Sequence, residues 1–473
     1  MKKPLGKKFW ATLAIFSLMG QVAWVVENMY FNVFIYKIFH ATAADISLMV
    51  AASSVAAALT TLLIGALSDR LGKRKVFICG GYLAWGVSIL CFALLRMELL
   101  TPLAGSAAAA ASLGVTLVIV LDCVMTFFGS SANDACFNAW LTDYGDESNR
   151  GGIEGINSMM PLVAILVVFG GFMPFDLDRA GSWSVIFCVI GAAVILVGAL
   201  GFFLIQDCPA PAQSSTRRSY AQNVLYSFRP SVIRKNFYLY CVVGTFAVFN
   251  ISIQIFMPYL ILYYEQTLGM ENYVLIMAPA IILAAVITAF YGKLYDKLGF
   301  ASAVLPAVFS LMLGYVLLYF GRATLPVFAG SLFMMTGYLT GMAVFGAQIK
   351  DRIPPEGAGL FQGLRIFGQV LIPGIIGPGI GSAVLRDAAT IRNGDGTTSF
   401  LPDRRIFLAA FLAAGALLAV LAGLGVLRRR AHWTLPTVRG AALRRDTLAQ
   451  GLPAWDDADS YPARSSAAPP ISA

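Results

Sequence analysis

A glutamate at position 27 stands inside a long apolar stretch, residues 9–38, and shares one helical face with Gln21, Trp24, Asn28, Phe31 and Asn32. At roughly 100° per residue these positions span about 140° of arc. At a rise of about 1.5 Å per residue, Glu27 lies about 27 Å along the stretch from Phe9, at or just past the middle of a bilayer. A second stretch carries Asp122, Thr126, Gly129, Asn133 and Phe137 at spacings of three and four, again a single stripe. A charge at bilayer depth costs at least about 2.5–3.5 kcal/mol on insertion scales. Such a group needs a partner, a water-filled cavity or a proton. Glu27 and Asp122 are therefore candidates for taking a proton on one side of a barrier and releasing it on the other. Each can instead serve a structural bond between helices. Asp134 lies about 120° off the Asp122 stripe and reads as structural.

Other polar positions complete a candidate cavity. Asn250 and Gln254 are one turn apart in a later stretch, and Gln362, Arg365 and Gln369 share a face in another. Arg365 facing a cavity would favour an anionic solute, but it is also close enough to a helix end to snorkel to the surface. Tyr259, Tyr263 and Tyr338 are candidate aromatic walls.

The elements that position these residues follow from composition. Of 473 residues, 58% are hydrophobic and only 12% charged, with a mean hydropathy of +0.75. Soluble domains carry about a quarter charged residues, so a soluble enzyme, a disordered chain and a nucleic-acid binder are excluded despite the net charge of +9. Seven cysteines lie mostly in apolar runs without a C-x-x-C pair, and His40 and His432 are the two histidines. Neither a metal centre nor a cofactor is signalled. The basic start, Lys2 to Lys8, imitates a signal peptide, but the apolar run continues too far and lacks a small-x-small cleavage site. A retained helix is expected.

Apolar segments fall at 9–38, 44–67, 75–96, 112–140, 153–173 and 183–205, then at 237–263, 273–292, 301–320, 326–349, 360–384 and 406–427. This predicts an all-α membrane protein of twelve transmembrane helices in two six-helix bundles, residues 1–205 and 236–428. A polar linker, 206–235, separates them, and a tail at 429–473 lacks apolar periodicity and reads as disordered. With both termini inside, 25 of the 34 lysines and arginines fall on the inner side, 8 on the outer side, and Arg365 within a segment. The positive-inside rule thus places both termini and the linker in the cytoplasm and accounts for the basic balance.

The halves repeat. At an offset of 227 residues, Leu48–Gly72 overlies Leu275–Gly299 with ten identities in 25 positions, including Gly65, Asp69 and Gly72 against Gly292, Asp296 and Gly299. A weaker echo at 208 matches Glu154-Gly155 with Gln362-Gly363. Parallel six-helix repeats hold solute near the midplane between them. The run Gly65-Ala-Leu-Ser-Asp69-Arg70-Leu-Gly72-Lys73-Arg74 resembles the loop 2–3 signature of the major facilitator superfamily. A degenerate copy, Gly292 to Gly299, stands where that family places it. The resemblance, over about residues 9–427, implies alternating access, with the signature as the conformational switch. Gly65 would permit close helix approach, Gly72 a tight turn, and Asp69 would accept from an arginine or helix end.

Thr142-Asp143 and Arg150 are similar to the loop 4–5 of the glycoside–pentoside–hexuronide cation symporters. That branch's sodium site uses acidic residues in helix 2, where this chain has Ser53, Ser54, Thr60 and Thr61 before Asp69. The antiporter pattern G-P-x-x-G-G is missing from the fifth segment, though Gly377-Pro378-x-x-Gly381 occurs in the eleventh as a kink or close contact. The expectation is a secondary transporter in the cell membrane, moving a small polar solute, a sugar or glycoside first, by proton symport. An organic-anion carrier using Arg365 and a proton-coupled exporter are the alternatives. A membrane enzyme or sensor would need a catalytic cluster or output domain, and neither is present in the sequence.

Overall fold

The computed structural model describes residues 5–145, 149–207, 229–270, 272–352, 364–393 and 397–430. Among these, twelve helices are long and apolar enough to span a membrane. They are α1 (Lys7–Phe39), α2 (Ala43–Ser68), α3 (Arg74–Phe92), α4 (Ala107–Tyr144), α5 (Gly151–Phe172) and α6 (Ala180–Leu204). The second set is α7 (Phe237–Thr267), α8 (Val274–Tyr291), α9 (Gly299–Phe320), α10 (Thr324–Arg352), α11 (Leu364–Val384) and α12 (Arg405–Gly425). Each helix satisfies its backbone internally, as a segment surrounded by hydrocarbon must. Large apolar side chains stay exposed on the outer faces, among them Phe203, Phe290, Phe320 and Leu412. Twelve crossings return the ends of the bundle to one face, the terminal face; the opposite one is the distal face. The tail 431–473 and the linker residues 208–228 lie outside the described residues.

Local sequence explains the ends. Thr42 and Asp45 form a reciprocal capping box that starts α2. Gly72 ends that helix at φ 63°, and Gly299 takes φ 76° at the equivalent turn between α8 and α9. A residue with a Cβ is disfavoured there. Gly65 behaves differently from expectation: the nearest atom to a Cβ added there would be Ala135 Cβ at 3.8 Å, an ordinary contact. Close approach does not require that glycine. Replacing Gly72 by alanine should therefore cost about 1 kcal/mol, while Gly65→Ala should change stability by less than about 0.5 kcal/mol. Thermal unfolding in detergent checks both, with a lowered midpoint expected for Gly72→Ala alone.

Sequence periodicity missed two features. A short helix, Met97–Ala104, precedes α4 on the distal face. A hairpin of β1 (Thr390–Arg392) and β2 (Thr398–Phe400), with Thr390 opposite Phe400, fills the α11–α12 connection. Strands of three residues are too short to show an alternating pattern.

Four helices leave α geometry. Wider π turns occupy Val26–Tyr30 in α1, Ser130–Phe137 in α4, Tyr263–Thr267 in α7 and Phe367–Leu371 in α11. α7 is also interrupted after Gln254, with a 3₁₀ turn at Met257–Tyr259 around Pro258. At the repeat offset of 227, Val26–Tyr30 corresponds to residues 253–257. The two copies thus break at the same place, one by a π turn and the other by a proline-led turn. Gly377 and Gly381 of α11 lie against Gln254 and Ile255 of α7 there, so the glycine–proline run marks a close helix contact. Across the halves α2 packs on α11, with Ser54 against Gly374.

Candidate functional site

Glu27 stands in the π turn of α1 and is 7% exposed. Thr126 Oγ1 of α4 donates to Glu27 Oε1 at 2.8 Å. Threonines in helices commonly give their proton to the carbonyl four residues back, as Thr12, Thr61, Thr245 and Thr288 do here. Thr126 instead reaches across to another helix. Asp122, one turn before Thr126, is 1% exposed and faces Glu27, with Ser53 of α2 beside it. Glu27 Oε2 and Asp122 Oδ1 are buried without a hydrogen-bond partner. Among the described residues no lysine or arginine pairs with either carboxyl. Asp134 also faces Glu27, and accepts from Ser130 at 3.1 Å and Asn133 at 3.3 Å. The structure brings together Glu27, Asp122 and Thr126, three positions that the two sequence stripes marked separately. Ser53 was not expected there.

Asn28 is exposed, and its amide donates to Trp24 O at 2.7 Å; Asn32 is fully buried and donates to Asn28 O at 2.9 Å. An exposed amide at this depth calls for water rather than lipid. Four other cavity candidates are engaged by protein partners. Asn133 is 4% exposed, receives Tyr82 Oη at 3.1 Å and packs on Gly20. Despite the π winding from Ser130 onward, Asn133 stays on the Asp122 stripe, which descends α1 from Glu27 through Trp24 and Gly20 to Phe16. Asn250 is 5% exposed and ties α7 to α11 by donating to Phe246 O at 2.9 Å and Gly368 O at 3.5 Å. Tyr259 is fully buried and donates to Ala43 O at 2.9 Å, so it closes the distal side instead of walling a cavity. Tyr263 likewise receives Arg322 at 2.7 Å and is fully buried. Gln254 and Tyr338 are half-buried. Arg365 Nε donates to Gln369 Oε1 at 2.9 Å near the terminal end of α11, where its charged neighbour is Glu154.

On the terminal face the signature works through Arg74. Its guanidinium pairs with Asp143 at the end of α4, Nε to Oδ2 at 3.1 Å, and donates to Ser68 Oγ at 2.6 Å. Arg70 and Lys73 are exposed. In the second copy Tyr295 donates to Asp351 Oδ2 at 2.8 Å, at the end of α10. Asp143 and Asp351 differ by 208 residues, the second repeat offset, so each half clamps its loop to the same place. The side chains of Asp69 and Asp296 lie outside the described residues.

On the distal face the described residues of the two halves meet through several buried side chains. Lys37 of α1 pairs with Glu265 of α7, and with Asp178 at 3.1 Å. Tyr30 Oη and Tyr273 Oη are 3.0 Å apart, and Tyr36 Oη donates to Phe400 O of the hairpin at 2.7 Å. Asn393 Nδ2 lies 3.1 Å from His40 Nδ1. On the terminal face Lys350 and Glu154 pair across the halves at 2.8 Å, but both are about half exposed, 46% and 50%. Exposed pairs contribute about 0–1 kcal/mol. Among the described residues, the buried contacts between the halves gather on the distal face.

Comparison with known proteins agrees with this architecture. A nucleoside transporter, NupG in its D323A form, superposes with a TM-score of 0.66 at 11% identity, covering 88% of this chain and 99% of its own. A bacterial homologue of the human lysosomal transporter Spinster, in an inward-facing and occupied conformation, gives 0.63 at 14%, covering 91% and 100%. At these identities the likeness is one of fold. No curated protein matches the sequence significantly. The sequence profile described as Major Facilitator Superfamily matches residues 11–378. The chain is an integral multi-pass membrane protein, a transporter and not an enzyme, and it belongs to the Major Facilitator Superfamily.

Proposed function

We propose that this transporter carries a small polar solute together with a proton, and that Glu27 is the coupling group. The observation that carries the reading is the buried carboxyl on a π turn, held by Thr126 from α4, facing Asp122 and lacking a basic partner among the described residues. A carboxyl so placed is neutralised by a proton, and a proton taken up on one face and released on the other links solute movement to a pH gradient. Neutral amides and hydroxyls elsewhere, Asn28, Gln254 and Tyr338, suit a hydroxyl-rich solute of the sugar or glycoside class. Nucleosides are glycosides, and a nucleoside transporter shares the fold. Arg365, held by Gln369 and close to Glu154, gives less support to an anion carrier.

The excess of lysine and arginine on the terminal side supports a cytoplasmic terminal face in a cell membrane. The distal face then looks outward, and the contacts gathered there support an inward-facing reading of the described state. Uptake into proteoliposomes from a mixed pool of sugars and nucleosides, read by mass spectrometry with and without a pH gradient, tests solute and coupling together. Accumulation of a member of that pool only under a gradient is expected. Orientation has its own check: a cysteine at half-exposed Ile391 should react with an impermeant maleimide from outside intact cells. Labelling only after permeabilisation would reverse the orientation.

A further inference from the structure

α1 and α4 run antiparallel in a fixed register. Glu27 meets Thr126, Trp24 meets Gly129, Gly20 meets Asn133 and Phe16 meets Phe137, and the two residue numbers of each pair have the same sum. α1 starts on the terminal face and α4 ends there, so depth reads directly off this ladder. Asp134 lies eight residues beyond Thr126, about two turns nearer the terminal face than Glu27. It is half-buried, whereas Glu27 is 7% exposed. Its carboxylate accepts from Ser130 at 3.1 Å and Asn133 at 3.3 Å. Trp24, one turn nearer the terminal face than Glu27, stands beside it. Four residues further along α4, Asn138 is exposed and donates to Asp134 O at 3.2 Å. Of the helices packed on this segment, α1 turns Glu27 and α3 turns Tyr82 toward Asp134, while α2 presents Gly65 beside Ala135. Among the described residues no lysine or arginine pairs with it.

Resting on the proton-coupling reading, we propose that Asp134 is the relay through which Glu27 gives up its proton to the terminal side. The argument is one of access. Glu27 Oε2 is buried without a partner, so a proton leaving it needs an acceptor inside the protein. Asp134 is a carboxylate held on the terminal side of Glu27 by Ser130 and Asn133, and it is open enough to exchange with water. The Glu27 carboxylic acid gives its proton, through bridging water, to the Asp134 carboxylate and is itself left as a carboxylate. Asp134 then releases that proton to water near the exposed Asn138 and returns to the carboxylate form. The direction follows from the depth ladder. Asp122 faces Glu27 from the distal side and is 1% exposed, so it offers no such exit.

Time-resolved infrared spectroscopy of the full chain in lipid nanodiscs, without solute, tests this after an upward pH jump. The readout is the C=O stretch of the protonated Glu27 carboxyl, assigned by its loss in Glu27→Gln. Asp134→Asn keeps an oxygen acceptor for Ser130 but cannot carry a proton. It should slow decay of the Glu27 band about tenfold or more and leave the band's equilibrium amplitude and midpoint pH unchanged. Asp134→Glu should keep the wild-type rate, and azide, a small proton carrier, should restore it in Asp134→Asn. Wild-type decay in Asp134→Asn would mean that Glu27 discharges directly to the cavity beside Asn28, and that result overturns the relay. A slower decay with a displaced midpoint and no rescue would make Asp134 a structural group and overturns it too. If Asp134→Asn does not fold, Asp134→Ser with and without azide gives the same decision. A wild type with no titrating Glu27 band would remove the coupling reading itself, and the relay with it.

Discussion

Replacing Glu27 by glutamine should abolish accumulation driven by a pH gradient and leave solute exchange intact. Glutamine keeps the Oε1 acceptor that Thr126 uses, so the α1–α4 contact survives. It cannot take up a proton at neutral pH. With one proton per solute, each pH unit of gradient is worth about 1.36 kcal/mol, or about tenfold accumulation. The wild type should approach that ratio and the variant should stay near one. Exchange of labelled for unlabelled solute requires no net proton movement and should persist. Asp122→Asn separates two roles. Loss of coupling with binding kept places Asp122 in the proton path, and loss of binding places it against the solute. Gradient-driven accumulation at wild-type level in both variants would make these carboxyls structural.

Asp143→Asn should slow transport about tenfold or more while leaving solute binding unchanged. Arg74 and Asp143 have side chains 11% and 28% exposed, so their pair is largely shielded from water. A hydrogen bond to a charged group contributes about 1.5–3 kcal/mol, enough to change the population of a conformer roughly ten- to hundredfold. The clamp joins the loop after α2, which packs on α11 of the other half, to the end of α4, so that α2 moves with its own bundle as a rigid body. Released, α2 shifts alone and the halves rock less often. The proposed binding site, near the π turn of α1, is remote from Asp143 at the end of α4, so ligand-induced thermal stabilisation in detergent should match the wild type. A wild-type exchange rate at equal protein level would remove the clamp from the mechanism.

Much of the fold was legible because the bilayer imposes a length and a polarity on every crossing. All twelve spans fall within about five residues of the apolar segments, α4 differing most because it starts at Ala107. The switch region was legible through its duplication, and the left-handed φ of both Gly72 and Gly299 follows from their spacing. The candidate site was half legible. Glu27, Asp122 and Thr126 were marked as members of stripes, but that they meet depends on how α1 and α4 cross. Asn133 keeps the stripe that the spacing gave it, against Gly20 of α1, but its amide oxygen is taken by Tyr82, a partner on another helix that spacing does not announce. Tyr259 was read as a wall because its partner, a backbone carbonyl at Ala43, has no residue type to announce it. The pairing of Lys37 with Glu265 depends on how the ends of α1 and α7 pack, which no residue spacing announces.

The most direct measurement is the proton itself. Wild-type protein in proteoliposomes without an imposed gradient should move protons when the transported member of the sugar and nucleoside pool is added outside. A pH dye trapped in the lumen should report acidification as solute enters, at about one proton per solute. Glu27→Gln should import the same solute down its gradient with no pH change. Solute entry by the wild type with a flat dye signal would contradict proton coupling and with it the role given to Glu27.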